Sequence, residues 1–142
     1  KRTLDLNLLA AVRTTRILLH LIKKTTNGAI INISSIAGRA GGSGDSLHYG
    51  VAKGAINIFT AGLAKELTEH QYSVRVVGVA PSIVDTGFQK RHSSKKRIKK
   101  IVSMTPLKRM ATPREISEIV FFLASTRASY MSGETINITG GR

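Results

Sequence analysis

The chain has no cysteine, which excludes disulfides and thiolate metal sites. It also has no apolar run near the roughly 18 residues that would suggest a bilayer span, so no membrane partner is expected. The opening stretch, KRTLDLNLLAAVRTTRILLH, is apolar but broken by Arg13 and Arg16 and carries no signal-peptide cleavage pattern. These absences fit a cytoplasmic protein. His20, His48, His70 and His92 lack HExxH-like or paired spacing, so no metal site is expected. Acidic residues are few: eight Asp and Glu stand against 22 Lys and Arg, for a net charge of +14. What remains is 42% hydrophobic over 142 residues, the size of one domain and enough for a real core. The first residues already read as helix with no initiator Met, from which we expect a piece of a longer chain.

Nine of the 22 cations fall between Lys90 and Arg109, in KRHSSKKRIKKIVSMTPLKR. Such a cluster can meet phosphate, nucleic acid or an acidic surface, and more often it is a solvated helix face. Phe88 is the only aromatic near it, a poor stacking platform, and no helix-turn-helix or RNA-recognition signature is present. A basic nucleic-acid binder is therefore a minor alternative.

Hydrophobic period places the elements. Apolar positions 4, 8, 12, 18, 19 and 22 predict a helix over 4–24, stopped by TTNG. AIINIS at 29–34 is a buried strand, and the glycine-rich 37–46 is a loop. Residues 47–69 are helical, with small residues at Gly54, Ala55, Ala61 and Gly62 that suit close helix contact. SVRVVGVA at 73–80 is a second strand ended by Pro81, and 88–102 is a basic helix. Thr112, Pro113 and Glu115 then start a helix as N-cap, first-turn proline and capping box, with Ile116, Ile119, Val120 and Leu123 inward. ETINIT at 134–139 is a third strand. Strands alternating with helices predict an α/β fold with parallel strands.

Within this frame YGVAKGA draws attention. Tyr49 and Lys53, four residues apart on a helix, stand on one face. A free tyrosine ionises near pH 10, and an adjacent ammonium favours its phenolate, which makes a usable general acid/base. Ser34 and Ser35 end the first strand, where open α/β sheets bind ligands, so a hydroxyl and a phenol can converge on one oxygen. Taken alone, Tyr-x-x-x-Lys is common by chance, and Ser-Ser after a strand is ordinary turn chemistry.

Five stretches occur in one order: DLNL at 5–8, GAIINISSIAG at 28–38, YGVAKGA at 49–55, APSIVDT at 80–86 and SGETINITGG at 132–141. The ordered set resembles the short-chain dehydrogenase/reductase family over essentially all 142 residues. Within it, the set is similar to bacterial glucose-dehydrogenase-like and 3-oxoacyl-acyl-carrier-protein-reductase-like oxidoreductases. The resemblance is to the C-terminal part of a Rossmann-like, doubly wound parallel sheet, which makes residues 1–142 a single partial domain. It implies an NAD- or NADP-dependent enzyme acting on an alcohol or carbonyl. Tyr49 is implied as acid/base, Lys53 as its tuning group and ribose contact, and Ser35 rather than Ser34 as the grip on the substrate oxygen. Asn7 is implied as support of a proton relay, with Pro81, Val84 and Thr86 at the nicotinamide and Val84 acting through its backbone. It also implies a homo-oligomer through helices 4–24 and 47–69; the plainer reading is that these faces only cover the sheet.

The sequence departs from the family pattern. Val77 stands where an asparagine is usual, Ser82 replaces the glycine after Pro81, and Thr139 replaces an aspartate. Ser82 is expected to restrict the turn beneath the nicotinamide. The glycine-rich TGxxxGxG turn that holds the cofactor pyrophosphate and the Asn-Asn-Ala-Gly strand end are not in the sequence. The glycines at 38, 41, 42 and 44 do not replace them: GSGDSL at 42–47 reads as a mobile loop rather than a phosphate cradle, and His48 as a solvent-facing or pocket-lining neighbour of Tyr49. An inactive remnant or interaction module lacking the cofactor cradle is thus the second reading.

Overall fold

The computed structural model describes residues 2–42 and 44–142. Three strands, β1 (Gly28–Ile33), β2 (Val74–Pro81) and β3 (Thr135–Ile138), form one parallel sheet in the order β1-β2-β3. The register pairs Gly28 with Val74 and Gly78 with Thr135. Central β2 is apolar almost throughout because both its faces are covered.

Alternate side chains of β2 build two cores. Val74 and Val76 join Leu63, Ala64 and Leu67 of α4 (Leu47–Glu69), with Leu19 and Ile22 of α2 (Ala10–Ile22) packed beside them. Val77 and Val79 face the other way onto Leu123 of α7 (Pro113–Ala124) and Ala128. Helices on both faces of a parallel sheet make the expected doubly wound arrangement. Ile116, Ile119 and Val120 of α7 turn inward as predicted, though only Leu123 is fully buried. Arg75 leaves the sheet sideways to donate to Leu123 O at 2.9 Å and Ser125 O at 3.1 Å, which satisfies carbonyls at the α7 end.

The structure differs from sequence expectation in its helices. Residues 4–24 are not one α-helix. A short α1 (Arg2–Leu4) leads into a π-helical turn, Asp5–Leu9, in which Ala10 N–H reaches back to Asp5 O, and α2 ends at Ile22. The basic helix expected over 88–102 is two, α5 (Gly87–His92) and α6 (Lys95–Met104). They are broken at Ser93-Ser94 because Ser94 turns its hydroxyl to cap Arg97 N–H. The loop at 37–46 holds a short α3 (Ala37–Ala40) and a 3-10 turn, Gly44–Ser46; Ser43 lies outside the described residues. Strand ends shift by a residue: β1 begins at Gly28, β2 runs through Pro81, and β3 is Thr135–Ile138. The start of α7 is as read, with Thr112 and Glu115 in a reciprocal capping box.

Candidate active site

The site gathers where β1 and β2 end. After β1 the chain passes Ser34 and Ser35, runs through α3 and returns as α4, so that its first turns lie against the strand end. Glycines permit this approach. A Cβ on Gly38 would stand 2.6 Å from the Lys53 carbonyl carbon and 2.7 Å from Gly54 N. A Cβ on Gly50 would stand 2.5 Å from Gly42 N. Backbone meets backbone here, and there is no room for a side chain. The small residues of α4 therefore serve contact with α3 around Gly54, whereas Gly62 faces open space.

Two bonds then lock α4 to the strand end. Buried Ser34 donates its hydroxyl to Lys53 O at 3.0 Å, and Lys53 Nζ donates to Ile33 O at 2.8 Å. Ser34 is thus committed to the backbone. Ser35 is half-buried, and among the described residues its Oγ accepts Ala37 N–H at 3.2 Å and donates to no acceptor. Partial burial lowers the Lys53 pKa from its ordinary 10.5 by penalising the ammonium. Its Nζ lies 5.8 Å from the centre of the Tyr49 ring, so the two side chains stand together as their spacing predicts. Tyr49 is half-buried; neighbouring His48 is exposed.

Asn7 sits in the middle of the π-helical turn, which packs on α4. Its side-chain NH2 donates to Thr3 O at 3.0 Å, and among the described residues no direct bond joins Asn7 to Lys53. A π-turn is a costly irregularity that recurs at functional sites.

On the β2 side, Pro81 O accepts Ile36 N–H at 3.0 Å, which ties the two strand ends together. Val84 lies three residues beyond and forms an isolated parallel bridge with Ala111. Asp85 N–H donates to Ala111 O at 2.8 Å and Ala111 N–H to Ile83 O at 3.0 Å. This neck closes an excursion that contains α5 and α6. Successive peptide groups of an extended chain point to opposite sides. The N–H and C=O of Val84 itself therefore turn away from Ala111, and among the described residues neither has a hydrogen-bond partner. An unpaired donor and acceptor side by side fit a primary carboxamide, which presents one of each. Thr86 uses its Oγ1 to cap α5 through a long 3.4 Å bond from Gln89 N–H. The Ser82 hydroxyl is buried and has no hydrogen-bond partner among the described residues.

Sequence reasoning read Gly54 as a place of close helix contact but missed its counterparts Gly38, Gly42 and Gly50, since an Ala-Gly loop looks like any flexible link. It also missed the pairing of Val84 with Ala111, which no local pattern announces. Among the described residues, no three His, Asp or Glu side chains converge as metal ligands, and no helix is long and apolar enough to cross a membrane.

Comparison with known proteins agrees with this geometry. A family model described as enoyl-(acyl carrier protein) reductase matches residues 1–142. An uncharacterised oxidoreductase of Bacillus subtilis, YmfI, is 39% identical over 127 residues, covering 89% of this chain and 51% of its own. Among solved structures, a 3-oxoacyl-[acyl-carrier protein] reductase from Brucella melitensis superposes with a TM-score of 0.84 at 32% identity, covering 95% of this chain and 49% of its own. A short-chain dehydrogenase/reductase of the glucose/ribitol dehydrogenase type, also from Brucella melitensis, gives 0.71 at 37% identity over 80% of this chain and 44% of its own. The chain thus spans about half the length of the relatives it matches. With a family match along all 142 residues and a shared parallel-sheet core, the chain belongs to the short-chain dehydrogenase/reductase family of oxidoreductases.

Proposed function

We propose that the chain carries the proton-transfer half of an NAD(P)-dependent alcohol/carbonyl oxidoreductase. The observation that carries this reading is the placement of Tyr49 beside Lys53 on a helix locked to the Ser34-Ser35 strand end. Ser35 donates its free hydroxyl proton to the substrate oxygen and holds it. Tyr49 gives its phenolic proton to that oxygen as a carbonyl becomes an alcohol, and takes it back in the reverse direction. Lys53 keeps positive charge next to the phenol and reaches the cofactor ribose. Asn7, on the π-turn that packs on α4, supports the return of a proton to Lys53 through an intervening water, no direct bond joining the two. Val84 N–H and C=O hold the nicotinamide carboxamide, with Pro81 and Thr86 beside it. The nicotinamide, when bound, supplies or accepts the hydride at the substrate carbon. Exposed apolar residues on the two long helices, including Ile17 and Leu21 of α2 and Val51 and Ile58 of α4, support pairing of copies through these faces.

The test is titration of the 142-residue chain with NADH and with NADPH, followed by nicotinamide fluorescence. Saturable binding is expected. Lys53→Ala should weaken it about tenfold, through loss of a charge-assisted bond. Tyr49→Phe should leave it within about threefold, since the aromatic ring stays and one hydrogen bond is worth little net. Absence of binding at millimolar cofactor would instead favour the second reading, a module that does not hold the cofactor by itself.

A further inference from the structure

Glu115 does more than cap α7. Its Oε1 accepts from Arg109 Nη2 at 2.6 Å and its Oε2 from Arg109 Nη1 at 2.8 Å. Oε2 also accepts Thr112 N–H at 2.8 Å and the Thr112 hydroxyl at 3.1 Å. Arg109 Nη1 reaches Met110 O at 3.1 Å as well. Residues 109–115 are thereby closed into a ring, and the planar two-pronged pair fixes orientation as well as distance. Ala111 sits in the middle of that ring, and Ala111 is the residue that bridges Val84.

This segment borders a cavity. Ser82, Ile83, Leu107, Arg109, Ala111 and Glu115 line a cavity of about 80 Å³. On the cavity side the chain lacks packing contacts, so its hydrogen bonds carry more of its positioning. We propose that Arg109 and Glu115 are positioning residues for the nicotinamide: the ion pair holds Ala111, and Ala111 aims the Val84 peptide groups at the carboxamide. The proposal rests on the reading of Val84 as the carboxamide contact. It concerns aim rather than stability, because an exposed ion pair contributes little to folding.

The experiment uses the full 142-residue chain and three variants. Arg109→Lys keeps the charge and loses the fork. Glu115→Gln keeps an oxygen for the Thr112 cap and loses the ion pair. Leu107→Ala alters the same cavity without touching the clamp. Amide hydrogen exchange at Asp85 and Ala111 reads the neck directly, and NADH titration reads the consequence. Arg109→Lys and Glu115→Gln should each speed exchange at both amides about tenfold and weaken NADH binding about tenfold, the loss of roughly one well-aimed bond. Leu107→Ala should do neither. Unchanged exchange in both clamp variants overturns the proposal whether or not NADH binds. Faster exchange with unaltered NADH affinity also overturns it, and leaves the pair as a staple for the excursion. If exchange responds but the unsubstituted chain binds no NADH, the cofactor reading has failed, and the role assigned to the clamp falls with it.

Discussion

The glycine contact between α3 and α4 makes a sharp prediction, because one substitution can be read at three places. At Gly38 an alanine methyl would fall 2.6 Å from Lys53 C and 2.7 Å from Lys53 O, both backbone atoms that cannot rotate aside. Overpacking of this kind costs about 1–3 kcal/mol. At Gly54 the methyl would meet Gly38 O at 3.1 Å, a contact relieved by a few tenths of an ångström. At Gly62, further along α4, nothing lies within 4 Å, and the gain in helix propensity is about 1 kcal/mol. With about 4 °C of Tm per kcal/mol for a chain of this size, Gly38→Ala should fall by about 8 °C and Gly62→Ala should rise by about 4 °C. Gly54→Ala should lie near the unsubstituted protein. Thermal unfolding followed by circular dichroism ranks all three. If Gly38→Ala melts with Gly62→Ala, the two helices do not meet backbone to backbone, and the account of how Lys53 is held is wrong.

Other expectations are simpler. Ser34→Ala should lose about 1 kcal/mol through its bond to Lys53 O, whereas Ser35→Ala should cost less, its bond being longer and more open to water; denaturant midpoints decide the order. Leu123→Ala opens the core at a side chain only 1% exposed and should cost about 3 kcal/mol, read from the denaturant midpoint. Because burial lowers the Lys53 pKa below 10.5, the folded chain binds fewer protons than the unfolded one in the alkaline range. Stability should therefore rise with pH up to about 10.5, an increment missing from Lys53→Met. Glu115 runs in the opposite sense: its carboxyl is held at about 2 by the hydrogen-bonded Arg109 and the Thr112 amide, against an ordinary 4.5. Its contribution, small at so exposed a pair, is complete above pH 4.5 and lost as the pH falls toward 2, so acid titration of Glu115→Gln should part only slightly from the parent chain.

Much of this architecture can be read in the sequence because it is local or periodic. β2 is a continuous apolar run, α7 announces itself through Thr112, Pro113 and Glu115, and Tyr49 and Lys53 need only helical spacing to meet. Legibility ends where a competing local bond decides. The basic stretch has helical periodicity across Ser93-Ser94, yet a serine hydroxyl that caps Arg97 N–H outweighs it. The π-turn around Asn7 adds a residue to a helix whose apolar pattern hardly registers the change. The choice between Ser34 and Ser35 depends on which hydroxyl the Lys53 carbonyl captures, and the clamp at Arg109 and Glu115 matters only through a bridge to a residue far back in the chain. Non-local pairing of that kind leaves no mark on short-range pattern.

The neck between Val84 and Ala111 has a consequence for how such a protein can change. The excursion leaves and re-enters through one bridged pair of residues, so its two ends are already together before its contents are specified. Halving or doubling a loop closed in this way alters its closure entropy by only about 0.6 kcal/mol. The segment between the bridge residues can therefore be shortened, lengthened or exchanged for another while the sheet, the Tyr49 helix and the serine strand end keep their places. Selection, or a designer, can rewrite what the excursion touches as a cassette and leave the Tyr49-Lys53 pair unedited.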